Sequence, residues 1–214
     1  MPEHLVDSPA AAPRARFLFA HGAGAPMDSD FMAAISAGLC AAGIEVVRFE
    51  FPYMAERRHG GSRRPPNPVP QLLDAFRGEV ERFTADALPL FIGGKSMGGR
   101  AASLLARELH MSGAVQGLVC FGYPFHPRGK PERLRTEHLY TLACPTLIVQ
   151  GSRDPLGNRA EVDSYQLPED IQWAWLEDGD HDLKPRRASG HTRAEHWQSA
   201  VDAAAGFILP FAGS

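Results

Sequence analysis

Gly94-Lys95-Ser96-Met97-Gly98 fits the spacing G-x-S-x-G, in which one serine has a glycine two residues to either side. The spacing suits a chain that leaves a strand and enters a helix in one sharp step, holding a hydroxyl out on a strained backbone. Side chains two residues before and after the serine would collide in such a turn, and glycine removes them. The helix that follows aims its positive end at the serine, where a developing oxyanion is stabilised. A serine hydroxyl is a weak nucleophile until a base takes its proton and a third group orients that base.

Both partners have candidates further along the chain. The stretch "CPTLIVQGSRDP" puts Asp154 in the loop after an apolar run, and "IQWAWLEDGDHDL" puts His181 in the loop after the next. Serine, acid, histidine, each just past a strand, is the order found in α/β-hydrolases. The chemistry expected is attack of Ser96 on a carboxylic ester or thioester, with His181 as base, Asp154 as its orienter and an acyl-enzyme intermediate. The main-chain N–H groups of Met97 and Ala23 are the expected oxyanion donors. Ala23 lies in "HGAGAP", where Gly24 is the alternative donor. His21, in the same loop, is expected to shape it through hydrogen bonds.

Other polar residues read more plainly. Asp178, Asp180 and Asp182 flank His181 as turn-forming, solvated acids. His191 and His196 are five apart, one residue off the metal-binding i, i+4 spacing, and the sequence contains no HExxH. No metal site and no cofactor are expected.

The surrounding pattern supplies the elements. Residues 1–16 read as a flexible arm and 17–214 as one domain. Six apolar runs read as strands: "ARFLFAHG" ending at Gly22, "IEVVRFEFP" ending at Pro52, "LPLFIGG", "VQGLVCFGYP", "CPTLIVQG" and "IQWAWLEDG". A helix over 28–43 has Asp28 or Ser29 as N-cap and Gly43 as its stop. A second, over 70–88, carries Leu72, Leu73, Phe76, Val80 and Phe83 at helical spacing. Further helices are expected at 98–111, 133–141, 158–165 and 191–208. The stretch "YMAERRHGGSRRPPNPVP" between the first two reads as a long loop. Continuous apolar strands alternating with helices predict an α/β fold, a mostly parallel sheet covered on both faces with ligands at the strands' carboxyl ends.

Composition narrows the setting. The net charge of −3 gives no excess of Lys and Arg for nucleic-acid binding. The prolines and acids of the opening stretch do not read as a secretory signal, and no apolar run reaches the ~18 residues of a membrane helix. Cys40, Cys120 and Cys144 are odd in number and far apart, which suits small buried hydrophobes in a reducing compartment. The expected location is cytoplasmic, with a small-molecule acyl substrate and neither nucleic-acid nor membrane partners.

The stretches "HGAGAPMDSDFM", "VVRFEFPYM", "GGKSMGGRAAS", "FGYPFHPRGKPERLRTEHL" and "WLEDGDHDLKPR" resemble a small α/β-hydrolase-fold family, described as dienelactone hydrolase-like. The same stretches are similar to testis-expressed hydrolase-like proteins and to a subunit of an animal chromatin acetyltransferase complex. The resemblance runs from about residue 17 to 210. It implies a compact hydrolase fold of about six strands, no large lid, and the triad Ser96, Asp154 and His181. The sequence departs from true dienelactone hydrolases, which carry a cysteine where Ser96 stands. Two alternatives to hydrolysis share this scaffold: a non-catalytic protein-interaction module, as the chromatin-complex relative suggests, and acyl transfer to an acceptor other than water.

Basic residues near the expected site have several readings. Arg57, Arg58, Arg63 and Arg64 form a solvated mobile loop, an anion clamp for substrate, or a protein contact. Gly24 and Lys130 are further candidate substrate contacts, and Lys184 is one more basic neighbour of His181. Lys95 and Glu50 are expected to pair beneath the serine turn, since a buried unpaired charge is costly.

Overall fold

The structure, a computed structural model, describes residues 4–62, 64–85 and 88–213. Seven strands form one sheet: β1 (His4–Asp7), β2 (Ala15–Ala20), β3 (Ile44–Phe49), β4 (Leu90–Lys95), β5 (Gly117–Phe121), β6 (Thr146–Gly151) and β7 (Ile171–Leu176). Their order across the sheet is β1-β3-β2-β4-β5-β6-β7. All neighbours are parallel except β1 and β3. Strands β4, β5 and β6 are buried at every residue, which is why they read as unbroken apolar runs rather than alternating ones.

Helices cover both faces: α1 (Asp30–Ala41), α2 (Pro52–Arg58), α3 (Val69–Phe83), α4 (Met97–Met111), α5 (Arg159–Ser164) and α6 (Arg193–Ile208). One core joins Leu18, Phe49, Ile92, Leu118 and Ile148 to Leu72 and Phe76 of α3 and Leu105 of α4. The other joins Phe17, Phe19, Phe91, Val119 and Phe121 to Ile35 of α1 and Val201 and Phe207 of α6. Each fully buried aromatic of this kind contributes roughly 1.5–3 kcal/mol. Among the described residues no helix is long and apolar enough to cross a membrane.

Three expectations change. The arm expected over 1–16 contains β1, which pairs antiparallel with β3, while β2 already begins at Ala15. Its four residues are too short for periodicity to show, and polar contacts hold it: His4 meets Glu79 of α3 at 2.6 Å, and Arg48 pairs with Asp7 at 2.8 Å. The loop expected after β3 opens with α2. Pro52, read as a strand terminator, occupies the first turn of that helix, where its fixed φ is favourable. The helix expected over 133–141 is a 3₁₀ turn, Glu137–Thr141. Ser29 is the N-cap of α1, and Gly43 takes φ +91° just beyond it.

That 3₁₀ turn docks on the outer side of α4 through polar contacts. The Ser103 hydroxyl donates to the Arg100 carbonyl (2.8 Å), so it accepts from His138 Nε2–H, also at 2.8 Å. Tyr123 Oη donates to the Arg135 carbonyl at 2.9 Å and lies 3.4 Å from the same His138 nitrogen. Burial, with help from the Arg100 charge, pushes the His138 pKa down from 6.5 to about 4. The unfolded chain therefore binds a proton near pH 6.5 that the folded chain refuses until about pH 4. Stability falls as pH drops through this window, by roughly 2 kcal/mol once partial solvent screening is allowed for. In urea melts at pH 7.5 and pH 4.5, His138→Gln is expected to lose less stability between the two conditions than the parent chain.

Candidate active site

Ser96 follows β4 directly and is the residue before α4, with φ 52° and ψ −114°. A non-glycine residue with positive φ is strained, and such strain clusters at functional sites. Its N–H still continues the sheet ladder by donating to the Phe121 carbonyl at 2.9 Å. The flanking glycines are required by space. A Cβ on Gly94 would lie 2.6 Å from the Ala20 carbonyl oxygen and 2.6 Å from the Gly98 carbonyl carbon. One on Gly98 would lie 2.5 Å from the Ala20 oxygen and 2.7 Å from the His21 oxygen.

The three expected side chains converge. His181 Nε2 lies 2.8 Å from Ser96 Oγ, and His181 Nδ1 lies 2.8 Å from Asp154 Oδ2. Asp154 is completely buried. Every hydrogen bond it accepts fits a carboxylate: Leu156 N–H donates to Oδ1 at 2.8 Å, and Gln150 Nε2 donates to Oδ2 at 3.0 Å. Gln150 also accepts from Tyr123 N–H (2.7 Å) and donates to the Tyr123 and Gly157 carbonyls. It joins the ends of β5 and β6 to the acid loop. The sequence reading missed it, although one amide in the apolar run "TLIVQG" was a signal.

The histidine loop is tied down by its own acids. Asp180 Oδ1 accepts from the N–H groups of Asp182 and Lys184, as expected for a turn. Asp178 departs from its solvated reading: it is buried, sits at φ 57°, and accepts from Arg186 N–H and Nε, both at 2.7 Å. Arg186 holds its carboxyl down at about 2. Lys184 points its main chain into this network, its carbonyl accepting from Arg153.

Lys95 does not pair with Glu50. Its ammonium donates to the His181 carbonyl at 2.6 Å, lies 3.4 Å from Asp182 Oδ1, and sits 5.7 Å from the Phe31 ring centre. Burial lowers its pKa. Glu50 instead takes both prongs of Arg58, at 2.7 and 3.0 Å. The formation of α2 explains the exchange, because that helix carries Arg58 back over the end of β3.

The loop after β2 is set by His21. The buried imidazole donates from Nδ1 to the Gly22 carbonyl (2.7 Å) and accepts Phe51 N–H at Nε2 (3.1 Å). Burial lowers its pKa, which favours this neutral form. Planarity of the Gly22–Ala23 peptide turns the Ala23 N–H away from the imidazole. Tyr53 Oη fixes the next peptide by donating to the Ala23 carbonyl at 2.9 Å. Among the described residues neither Ala23 N–H nor Met97 N–H has a hydrogen-bond partner.

A cavity of about 440 Å³ opens at Ser96, lined by Ala23, Gly24, Phe31, Lys95, Leu156 and His181 among others. Gly24 faces open space there. The other candidate contacts lie elsewhere. Arg57 and Arg58 line a neighbouring cavity of about 320 Å³, and the Arg58 fork is already occupied by Glu50 and Asp28. Arg64 pairs with Glu56 at the surface, and Arg63 lies outside the described residues. Lys130 stands exposed in the turn at Pro127 and does not line the serine cavity. His196 is buried and its Nδ1 lies 2.9 Å from the Leu183 carbonyl.

Residues 13–209 match the family described as alpha/beta hydrolase domain. The fold is similar to a dienelactone hydrolase from Anabaena variabilis (TM-score 0.70, 22% identity, covering 94% of this chain and 89% of that one). It is also similar to Est1E from Butyrivibrio proteoclasticus (TM-score 0.70, 13% identity, 97% and 93% covered). A third similar structure is an α/β serine hydrolase without lid from Xanthomonas campestris (TM-score 0.61, 19% identity, 84% and 80% covered).

Proposed function

Since the chain belongs to the alpha/beta hydrolase family, we propose that it is a serine hydrolase of carboxylic esters or thioesters, with Ser96 as nucleophile. The observation that carries this reading is the hydrogen-bonded line from Ser96 Oγ through the His181 ring to buried Asp154. Ser96 Oγ attacks the acyl carbon while its proton passes to His181 Nε2. Asp154 holds Nδ1–H and stabilises the imidazolium. The tetrahedral oxyanion accepts from Met97 and Ala23 N–H, each such donor being worth about 3 kcal/mol in the transition state. Collapse expels the alcohol or thiol, which takes the proton from Nε2. Water, deprotonated by the same imidazole, then releases the acid from acyl-Ser96.

The orientation of the Ala23 amide supports its role. His21 draws the Gly22 carbonyl inward, so the adjoining N–H faces the other way, on a residue that lines the cavity. Lys95 steadies His181 by donating to its main-chain carbonyl.

Fluorophosphonate labelling tests the reading: Ser96 Oγ displaces fluoride and becomes phosphonylated. Mass spectrometry is expected to place the adduct on the Ser96 peptide, and His181→Ala is expected to suppress it by several orders of magnitude. A folded chain that stays unlabelled points instead to an interaction module on this scaffold.

A further inference from the structure

The cavity at Ser96 has walls of two kinds, and the difference decides what a substrate can carry. Along the loop after β2 it is open, for a Cβ added to Gly24 would meet nothing within 4 Å. The first turn of α1 closes it elsewhere with Phe31 and Met32, both buried. The Phe31 ring is held from several directions. Its centre lies 6.0 Å from that of Phe121 in β5 and 5.6 Å from that of Trp197 in α6, both edge-to-face. The Lys95 ammonium stands 5.7 Å from the same centre. Moving this wall would disturb packing on α6 as well as on the sheet.

The lining is apolar at that wall and electrically balanced beyond it. Leu156, from the loop after β6, adds a third apolar side chain. Lys95 and Asp182 are the only full charges in the lining among the described residues, and their Nζ and Oδ1 lie 3.4 Å apart. A paired ammonium and carboxylate offer an ionised chain no net attraction, and burying that chain unpaired is costly. An uncharged hydrocarbon chain gains with every methylene it buries there.

We propose that Phe31 forms the closed end of an acyl pocket, and that the substrates are esters or thioesters of short, uncharged carboxylic acids. The role of this pocket rests on the hydrolase reading and adds to it which part of the substrate enters. The alcohol must depart while acyl-Ser96 remains. The leaving group therefore belongs on the open side by Gly24, and the acyl chain against the closed wall. At roughly 30 Å³ per heavy atom, the cavity of about 440 Å³ holds about 15 of them. With the ester group and much of the alcohol inside, about six carbons remain for the acyl chain.

A series of p-nitrophenyl esters from acetate to decanoate tests the pocket, with the monoester of adipic acid as the charged counterpart of hexanoate. Hydrolysis is expected to peak at butyrate or hexanoate and to fall roughly tenfold or more in kcat/KM by decanoate, with adipate roughly tenfold or more below hexanoate. In Phe31→Ala the decanoate-to-butyrate ratio of kcat/KM is expected to rise roughly tenfold or more. Phe31→Leu, the milder change, is expected to move it the same way. Phe211→Ala is the control: that ring packs on Phe91 and Phe207, outside the cavity, and the ratio is expected to stay at the parent value. A ratio within one preparation does not depend on the fraction folded, so lost stability in Phe31→Ala leaves the comparison intact. Ethyl to decyl acetates vary the alcohol instead, and their ratio is expected to be the same in parent and variant. An unmoved decanoate-to-butyrate ratio in both Phe31 variants overturns the proposal. A shift confined to the alcohol series does so too, as does adipate turned over as fast as hexanoate. A chain that cleaves none of these esters and takes no label at Ser96 fails the hydrolase reading itself, whereas a labelled, active chain with unmoved ratios fails the acyl pocket alone.

Discussion

Asp154→Asn is expected to lower kcat about 10⁴-fold while leaving the fold in place. The size of the effect follows from where an asparagine must point its two ends. Leu156 N–H donates to Oδ1, so an amide oxygen belongs there. The NH₂ then occupies the Oδ2 position, facing His181 Nδ1 and Gln150 Nε2. Imidazole can accept at Nδ1 only by moving its proton to Nε2, the nitrogen that must receive the serine proton. The base is lost though every atom stays near its place. Flipping the amide rescues the tautomer but sets its NH₂ against Leu156 N–H. Burst kinetics with p-nitrophenyl acetate, beside a thermal melt, checks this. Activity within tenfold of the parent would remove Asp154 from the relay.

The second large effect is on stability. Gly98→Ala is expected to lower Tm by roughly 6–12 °C, about 3 kcal/mol for a chain of this length. The new methyl would press on the carbonyls of Ala20 and His21, at 2.5 and 2.7 Å. Those are backbone atoms at the end of β2, so relief requires shifting the loop that carries Ala23, and labelling of Ser96 should fall with stability. Gly78→Ala is the control: it lies in α3 with nothing within 4 Å of the added carbon. Replacing a helical glycine at an open position is expected to stabilise by up to about 1 kcal/mol. Equal Tm for parent and Gly98→Ala would show that the turn tolerates a side chain.

Much of the site was legible because its signals are local. The glycines around Ser96 encode a backbone shape, and Asp154 and His181 each follow an apolar run whose end marks the carboxyl rim of the sheet. Pairing choices were less legible, because they depend on elements with weak signatures. Lys95 and Glu50 looked like partners until α2, seven residues hidden among Arg, Gly and Pro, delivered Arg58 to Glu50. Strand β1 is too short to alternate visibly, and its ion pairs join residues up to 75 positions apart. Gln150 stood out as a lone amide in an apolar strand, yet its four bonds follow from two loops, after β5 and after β6, meeting around it.

The proposed relay draws on unequal parts of the sheet. Ser96 and Asp154 follow interior strands, whereas His181 follows β7, an edge strand that among the described residues pairs with β6 alone. Margins of a sheet fray first, through partial openings that leave the rest native. Inactivation by dilute urea should therefore run ahead of the loss of far-ultraviolet ellipticity, with amides of β7 exchanging deuterium sooner than those of β4. The catalyst's working range would then be set by the hold of its outermost strand rather than by the cohesion of the whole.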